Sequence, residues 1–336
     1  MIINNIDTDK KVFVIAEIGN NHEGNFKLAK EMISLAAEAG ADAVKFQTFK
    51  TNYYVSKDDR KRFDLLKSFE LTNFQFEKLK KYSRERKVGF ISTPFDIKSA
   101  EFLRKIVDAF KISSSDNNFF PLIKTVFRGD KPVIISTGLS DIKQIEETIK
   151  YISSLVGNVN LKNNLALLHC VTAYPVENQY ANLRAIETLR NIFNVTIGYS
   201  DHTLGINAAI SSVSLGARII EKHFTKNKNQ SSFRDHKISA DPDEFTKMVK
   251  SIRDVELMLG NGKKIIQYPE IEIKLSVRRS IVARHKIKKG KKLSINDISW
   301  IRPGGGLSPK ETKNIIGKIA KKDLETGQRI LLDQLD

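Results

Sequence analysis

Two histidines, two lysines, a glutamate and a set of hydroxyls carry whatever chemistry this chain performs. The stretch "GYSDHTLG" (198–205) sets Ser200, Asp201 and His202 side by side, and "GARIIEKHF" (216–224) ends on Glu221, Lys222 and His223 some 20 residues later. A pair of imidazoles suits a divalent transition metal. Two protein ligands leave coordination positions for water and substrate, as a Lewis-acid site requires; taken singly, each histidine serves as readily on a surface or as a cap. Lys45 and Lys111, with Thr93, Ser114, Ser136 and Ser200, offer fixed positive charge and hydroxyl donors of the kind that hold a phosphate or carboxylate.

The elements that must position these residues are short apolar runs with polar ends. They read "VFVIAEIG" (12–19), "AVKFQT" (43–48), "GFISTPF" (89–95), "AFKISSS" (109–115), "PVIISTG" (132–138), "LALLHCV" (165–171), "VTIGYSD" (195–201) and "RIIEKHF" (218–224). Between them lie amphipathic stretches such as "NFKLAKEMISLAAEAGA", with Leu28, Met32, Leu35, Ala36 and Ala39 at helical spacing and Gly40 as the stop. Eight strand candidates alternating with helices predict an α/β fold, a (β/α)8 barrel. An open doubly wound sheet is the alternative, but no strand is followed by a G-x-G-x-x-G turn. In nearly every run the polar residues come last: Glu17, Lys45 and Gln47, Thr93, Lys111 with Ser114, Ser136 with Thr137, His169 with Thr172, then Ser200 to His202 and Glu221 to His223. Barrel active sites are built at that rim. A serine or threonine there often only caps the next helix, yet the set as a whole predicts one anionic-substrate site.

The 336 residues carry a formal charge of +17, with 40% hydrophobic and 28% charged residues, which predicts a folded catalytic-size domain plus a small one. From residue 263 onward eighteen basic residues face eight acidic ones, so +10 of the excess sits in the tail. Such a tail can bind nucleic acid, concentrate an anionic substrate or be a solvated face. No zinc finger or RNP-type aromatic motif supports nucleic acid. The single cysteine, Cys170, excludes an intrachain disulfide framework, points to a reducing compartment, and reads as a core residue. "MIINNIDTDKKVF" holds no apolar stretch of signal or membrane-span length. The expectation is a cytoplasmic protein. Residues 1–262 read as the barrel, 263–275 as a linker, and 276–336 as a compact β-rich domain with tight turns at "KKGKK" and "PGGG".

Laid out in this order, the blocks "IAEIGNNHEG" (15–24), "GADAVKFQT" (40–48), "STPFD" (92–96), "KISSSD" (111–116), "STGLS" (136–140), "LLHC" (167–170), "GYSDHTLG" and "GARIIEKHF" resemble the sialic acid synthase family over the full length. The tail, with "WIRPGGGL" (300–307), resembles that family's antifreeze-protein-like (SAF, β-clip) domain. The resemblance implies a phosphoenolpyruvate-dependent synthase that condenses phosphoenolpyruvate with an open-chain N-acyl hexosamine and releases phosphate by C–O cleavage. It implies phosphoenolpyruvate binding by Lys45, Thr93, Lys111, Ser114, Ser136 and Ser200, with Glu17, Lys45 and Lys111 catalytic and Glu17 handling the attacking water. Gln47, Thr172, Tyr174 and Asp235 fall where the family contacts the sugar, as does Arg302, which in these synthases reaches the partner's barrel in a domain-swapped homodimer. His202 and His223 take the metal-ligand positions, for Mn²⁺ first, with Mg²⁺ or Co²⁺ as alternatives. Two departures, Thr172 in "CVTAYPV" where acetylneuraminate-producing relatives carry asparagine and "SSFRDHK" in place of a Gly-Pro pair before Asp235, lie on the sugar side. The acceptor is therefore open between N-acetylmannosamine, a diacetamido-trideoxyhexose and, less favoured, a 6-phosphorylated mannosamine. Competing readings are a 3-deoxy-ulosonate synthase acting on an aldose phosphate and a basic polyanion-binding protein.

Overall fold

The computed structural model describes residues 1–336, apart from the side chains of residues 159 and 160. It forms two compact units, Met1–Gly260 and Asn261–Asp336.

The first unit is a closed barrel of eight parallel strands, which settles the choice against an open sheet. They are β1 (Phe13–Gly19), β2 (Ala43–Thr48), β3 (Gly89–Pro94), β4 (Ala109–Ile112), β5 (Val133–Ser136), β6 (Leu165–Cys170), β7 (Thr196–Asp201) and β8 (Ile219–His223), with β8 closing onto β1. Each is the apolar part of one of the eight predicted runs. Strands buried on both faces read as near-continuous apolar stretches, which is why the runs stood out. Alternation then sorts each strand. On β1, Phe13 and Ile15 fill the barrel interior with Ala43, Ile91, Ala109, Ile134, Ala166, Leu168 and Ile219. Val14 and Ala16 point outward to the helices, with Val44, Phe46, Phe90 and Phe110. Continuing each interior row by two or four residues reaches Glu17, Lys45, Thr93, Lys111, Ser136, Ser200, Glu221 and His223.

The other end of the barrel is closed by an antiparallel hairpin, Ile2–Ile3 with Ile6–Asp7, whose Ile3 joins the interior cluster. Asn4 and Asn5 at its tip are both left-handed, at φ 46° and 64°, the geometry of the tight hairpin turn that asparagine tolerates.

In the second unit β9 (Ser280–Ala283) pairs antiparallel with β10 (Ile298–Ile301) over a core that includes Ile281, Ile287, Leu293, Ile315, Leu324 and Ile330. Most other pairing there is by isolated bridges, such as Ile287 with Leu324 and Ala320 with Leu335. The stretch expected as a linker carries a helix, Tyr268–Val277. Its apolar residues Ile271, Ile273, Leu275 and Val277 recur at every second position and are all exposed, so the sequence offered no helical periodicity; the helix starts on a Gln267/Glu270 capping box. Among the described residues no helix is long and apolar enough to cross a membrane.

Candidate active site

A cavity of about 750 Å³ opens at the carboxyl end of the barrel strands. The residues expected to bind phosphoenolpyruvate and metal, and Gln47, Thr172, Tyr174 and Asp235, all line it. Arg302 lies in the second unit, exposed, its Nε donating to the Val277 carbonyl at 2.8 Å.

The floor is a buried charge cluster. Lys45 Nζ sits 2.9 Å from Glu17 Oε2 and 3.7 Å from Glu221 Oε2, and donates to Thr93 Oγ1 at 3.0 Å. Lys111 Nζ donates to Ser136 Oγ at 2.6 Å and to the Ile112 carbonyl at 3.0 Å, and lies 3.9 Å from Glu221 Oε1. Glu221 thus bridges both lysines while accepting from Ser200 Oγ at 2.9 Å. Two ammoniums balanced by two carboxylates make such burial tolerable. Glu221, a rim residue with no role assigned from the sequence, lies two residues before His223 on one strand and hence on the same face.

Burial divides the four groups. It disfavours the charged form of Glu17 and, although Lys45 opposes it, Glu221 adds to it, so the Glu17 carboxyl is pushed up. Glu221 is desolvated as well, but Lys111 and Lys45 outweigh burial and hold it down. Lys45 is raised, because Glu17 and Glu221 more than offset its desolvation. Lys111 is lowered: burial dominates, Glu221 offsets only part, and Lys45 repels. A lysine is cationic below its pKa, so a lowered Lys111 loses its charge earlier as pH rises. We predict that kcat/KM for the anionic substrate, which reports the free enzyme, falls on an alkaline limb beginning below 10.5, the ordinary lysine value. Lys111→Arg keeps its charge throughout and should lack that limb. A profile unchanged by the substitution would remove Lys111 from anion binding.

Beside this floor, Ser114 Oγ accepts from the Gly138 amide at 3.1 Å. A side chain at Gly138 would collide with both Ser114 Oγ and Thr172 Oγ1, so glycine lets the three close together. Thr172 therefore stands close to Ser114, one of the hydroxyls expected for the anion, and its Oγ1 is buried without a partner.

The two histidines meet above the cluster, with ring centroids 5.4 Å apart. The 2.9 Å contact from His202 Nδ1 to the Val171 carbonyl makes Nδ1 the donor, which leaves the Nε2 lone pair for a ligand. His223 Nδ1 is buried and unpartnered, and burial followed by His202 holds His223 well below its ordinary pKa. Two oriented imidazoles fit a divalent metal: His223 is held neutral with an orphaned ring nitrogen, and His202, where burial is outweighed by Cys170 and the pKa raised, would release any proton on Nε2 when a metal binds. Among the described residues no group of three or more His, Cys, Asp or Glu side chains could hold a metal ion. Cys170, read as core, is buried and also borders the cavity, with Sγ 3.9 Å from His202 Nδ1.

Tyr174 lies over His202 at 4.3 Å between centroids and meets His223 edge-on at 6.1 Å. Arg234, whose place in "SSFRDHK" carried no assigned role, sits 4.7 Å over the Tyr174 ring and donates to Asp235 Oδ1 at 3.3 Å. A second wall, unforeseen, comes from the helix Arg60–Phe69, which brings Arg62, Leu65, Leu66 and Phe69 to the cavity. Two rim candidates prove structural. Asp201 faces outward, paired with Lys222 at 2.9 Å and capping Thr203; His169 Nε2 contacts the Ala181 carbonyl at 2.9 Å.

The pattern of the NeuB family matches residues 32–264, and that of the SAF domain residues 278–336. An uncharacterised protein of Methanocaldococcus jannaschii is 46% identical over 96% of this chain and 94% of its own. The N,N'-diacetyllegionaminic acid synthase of Legionella pneumophila is 38% identical, again over 96% and 94%. The crystal structure of an N-acetylneuraminic acid (sialic acid) synthetase from Leptospira borgpetersenii, solved with citrate, superposes with a TM-score of 0.72 at 35% identity over 78% of this chain and 90% of that one. With its barrel, its rim of lysine, hydroxyl and imidazole side chains and its C-terminal SAF domain, the chain belongs to the NeuB family, and its characterised relatives include sialic acid-type synthases, enzymes of the transferase class.

Proposed function

We propose that the protein condenses phosphoenolpyruvate with an open-chain N-acyl hexosamine, forming a nine-carbon sugar acid and phosphate. The observation that carries this reading is the floor: Lys45 and Lys111, ringed by Thr93, Ser114, Ser136 and Ser200 and backed by two carboxylates, inside one cavity with two imidazoles. Lysines and hydroxyls hold the phosphate and carboxylate of phosphoenolpyruvate. An anion entering between the lysines competes with Glu17 for Lys45, releasing a carboxyl already pushed up by burial to take a proton from water. Carbon 3 of phosphoenolpyruvate bonds to the sugar aldehyde carbon, water adds at carbon 2, and the tetrahedral centre expels phosphate with its bridging oxygen. His202 and His223 would hold a divalent ion, Mn²⁺ first, which when bound supplies Lewis-acid polarisation of the aldehyde oxygen.

For the acceptor we favour a diacetamido-trideoxyhexose. Leu65, Leu66, Phe69, Phe95 and Phe233 give the cavity an apolar wall suited to acetamido methyls and a deoxygenated carbon 6. Arg62 and Arg234, the cavity's guanidiniums, are engaged with Tyr54 and with Tyr174 and Asp235, which argues against a phosphorylated sugar. The homodimer reading puts Arg302 of one copy at the sugar end of the other; its exposure and the exposed apolar residues of the helix Tyr268–Val277 support it. A cytoplasmic location follows from the substrates.

The test is phosphate release from phosphoenolpyruvate with a panel of N-acetylmannosamine, its 6-phosphate and 2,4-diacetamido-2,4,6-trideoxyhexoses. The diacetamido sugars should give the highest kcat/KM. Preference for the 6-phosphate would overturn the acceptor assignment, and silence across the panel would overturn the condensation itself.

A further inference from the structure

The loop "GNNHEG" (19–24), directly after Glu17 on β1, is held more firmly than a surface turn requires. Asn21 Nδ2 donates to the Phe224 carbonyl and to Ser239 Oγ, both at 2.9 Å. Glu23, left-handed at φ 47°, is tied to the fully buried His236 at 3.0 Å. A side chain on Gly24 would strike the Ser68 carbonyl, so glycine lets the loop press on the helix Arg60–Phe69. Strain and anchoring of this kind gather where a side chain must be presented in one position.

The side chain presented is Asn20, 5% exposed and lining the cavity. Its orientation follows from a chain of donors. Glu17, as a carboxylate, only accepts, so Gln47 turns Nε2 toward Glu17 Oε1, 3.3 Å away. Gln47 Oε1 then faces Asn20, which must answer with Nδ2, at 2.7 Å. Asn20 Oδ1 is left buried with no hydrogen-bond partner. Buried amide oxygens are normally paired, and an exception beside a ligand cavity asks for a donor from the ligand.

We propose that Asn20 is a specificity-determining residue, oriented through Gln47 by Glu17, that accepts a hydrogen bond from an amide N–H or hydroxyl of the acceptor sugar. The assignment rests on the condensation reading, in which Gln47 lies at the sugar end. It links acceptor recognition to the carboxylate that handles water, because one hydrogen-bond relay sets both.

The experiment compares wild type with Asn20→Leu and Asn20→Ser, using phosphoenolpyruvate with N-acetylmannosamine and with the 2,4-diacetamido sugars, and a thermal melt of each variant. Asn20→Leu should raise KM for the better acceptor about tenfold, as loss of one hydrogen bond implies, and leave KM for phosphoenolpyruvate within about twofold. Asn20→Ser, which restores an acceptor oxygen, should recover part of the loss. Discrimination between the acceptors should shrink in Asn20→Leu. An unchanged acceptor KM, or equal rises in both Michaelis constants, would overturn the role of Asn20 while leaving the synthase reading intact. An inactive wild type would instead overturn that reading.

Discussion

Replacing Glu17 by glutamine should collapse turnover by about 10²–10⁴-fold, the usual contribution of a positioned general base, while phosphoenolpyruvate still binds. The substitution keeps the shape of a side chain 2.9 Å from Lys45 and in contact with Gln47, so the anion floor survives. Burial and Glu221 raise the Glu17 pKa, against the pull of Lys45. The base form is therefore lost as pH falls through a value above the ordinary carboxylate range, and wild-type kcat should show an acid limb there. Residual activity in Glu17→Gln should lack that limb. Phosphoenolpyruvate affinity from titration calorimetry, set beside single-turnover phosphate release, separates the effects. Near-normal turnover would reduce Glu17 to a structural partner of Lys45.

Removal of metal should have an effect of similar size. His202 and His223 offer two oriented imidazoles, one fixed by the Val171 carbonyl and the other held neutral by burial with an orphaned Nδ1. A Lewis acid contributes several kcal/mol to a developing alkoxide, so chelation should cost at least about 10²-fold, and Mn²⁺ should restore the rate. His223→Ala should show the same loss, respond no further to chelator, and melt as a folded protein. Its bound-metal content, read by elemental analysis, should fall with its activity. Full activity of that variant without metal would refute the assignment.

The barrel was legible because its strands are apolar on both faces and turn polar at one end. The alternation that puts Phe13 and Ile15 inside also puts Glu17 inside, and the same step of two joins Glu221 to His223. It equally removes Asp201, which faces out to Lys222. What stayed hidden comes from segments without such a pattern. Arg62, Leu65 and Phe69 sit on a helix in the long connection after β2, where nothing marks the face that turns to the cavity. Asn20 looked like one more polar loop residue. Its meaning lies in Gln47 and Glu17, 27 and three residues away, and in the direction of their hydrogen bonds. The helix Tyr268–Val277 was masked by apolar residues at every second position.

Isotope transfer distinguishes condensation at the barrel rim with C–O cleavage of phosphoenolpyruvate from hydrolysis at phosphorus. Phosphoenolpyruvate labelled with ¹⁸O at the bridging oxygen is turned over with Mn²⁺ and the preferred N-acyl hexosamine, and phosphate and sugar acid are analysed by mass spectrometry. One labelled phosphate should appear for each nine-carbon acid formed, with neither product in the absence of acceptor. Label retained in the organic product, or phosphate released at the same rate without a sugar, would contradict it.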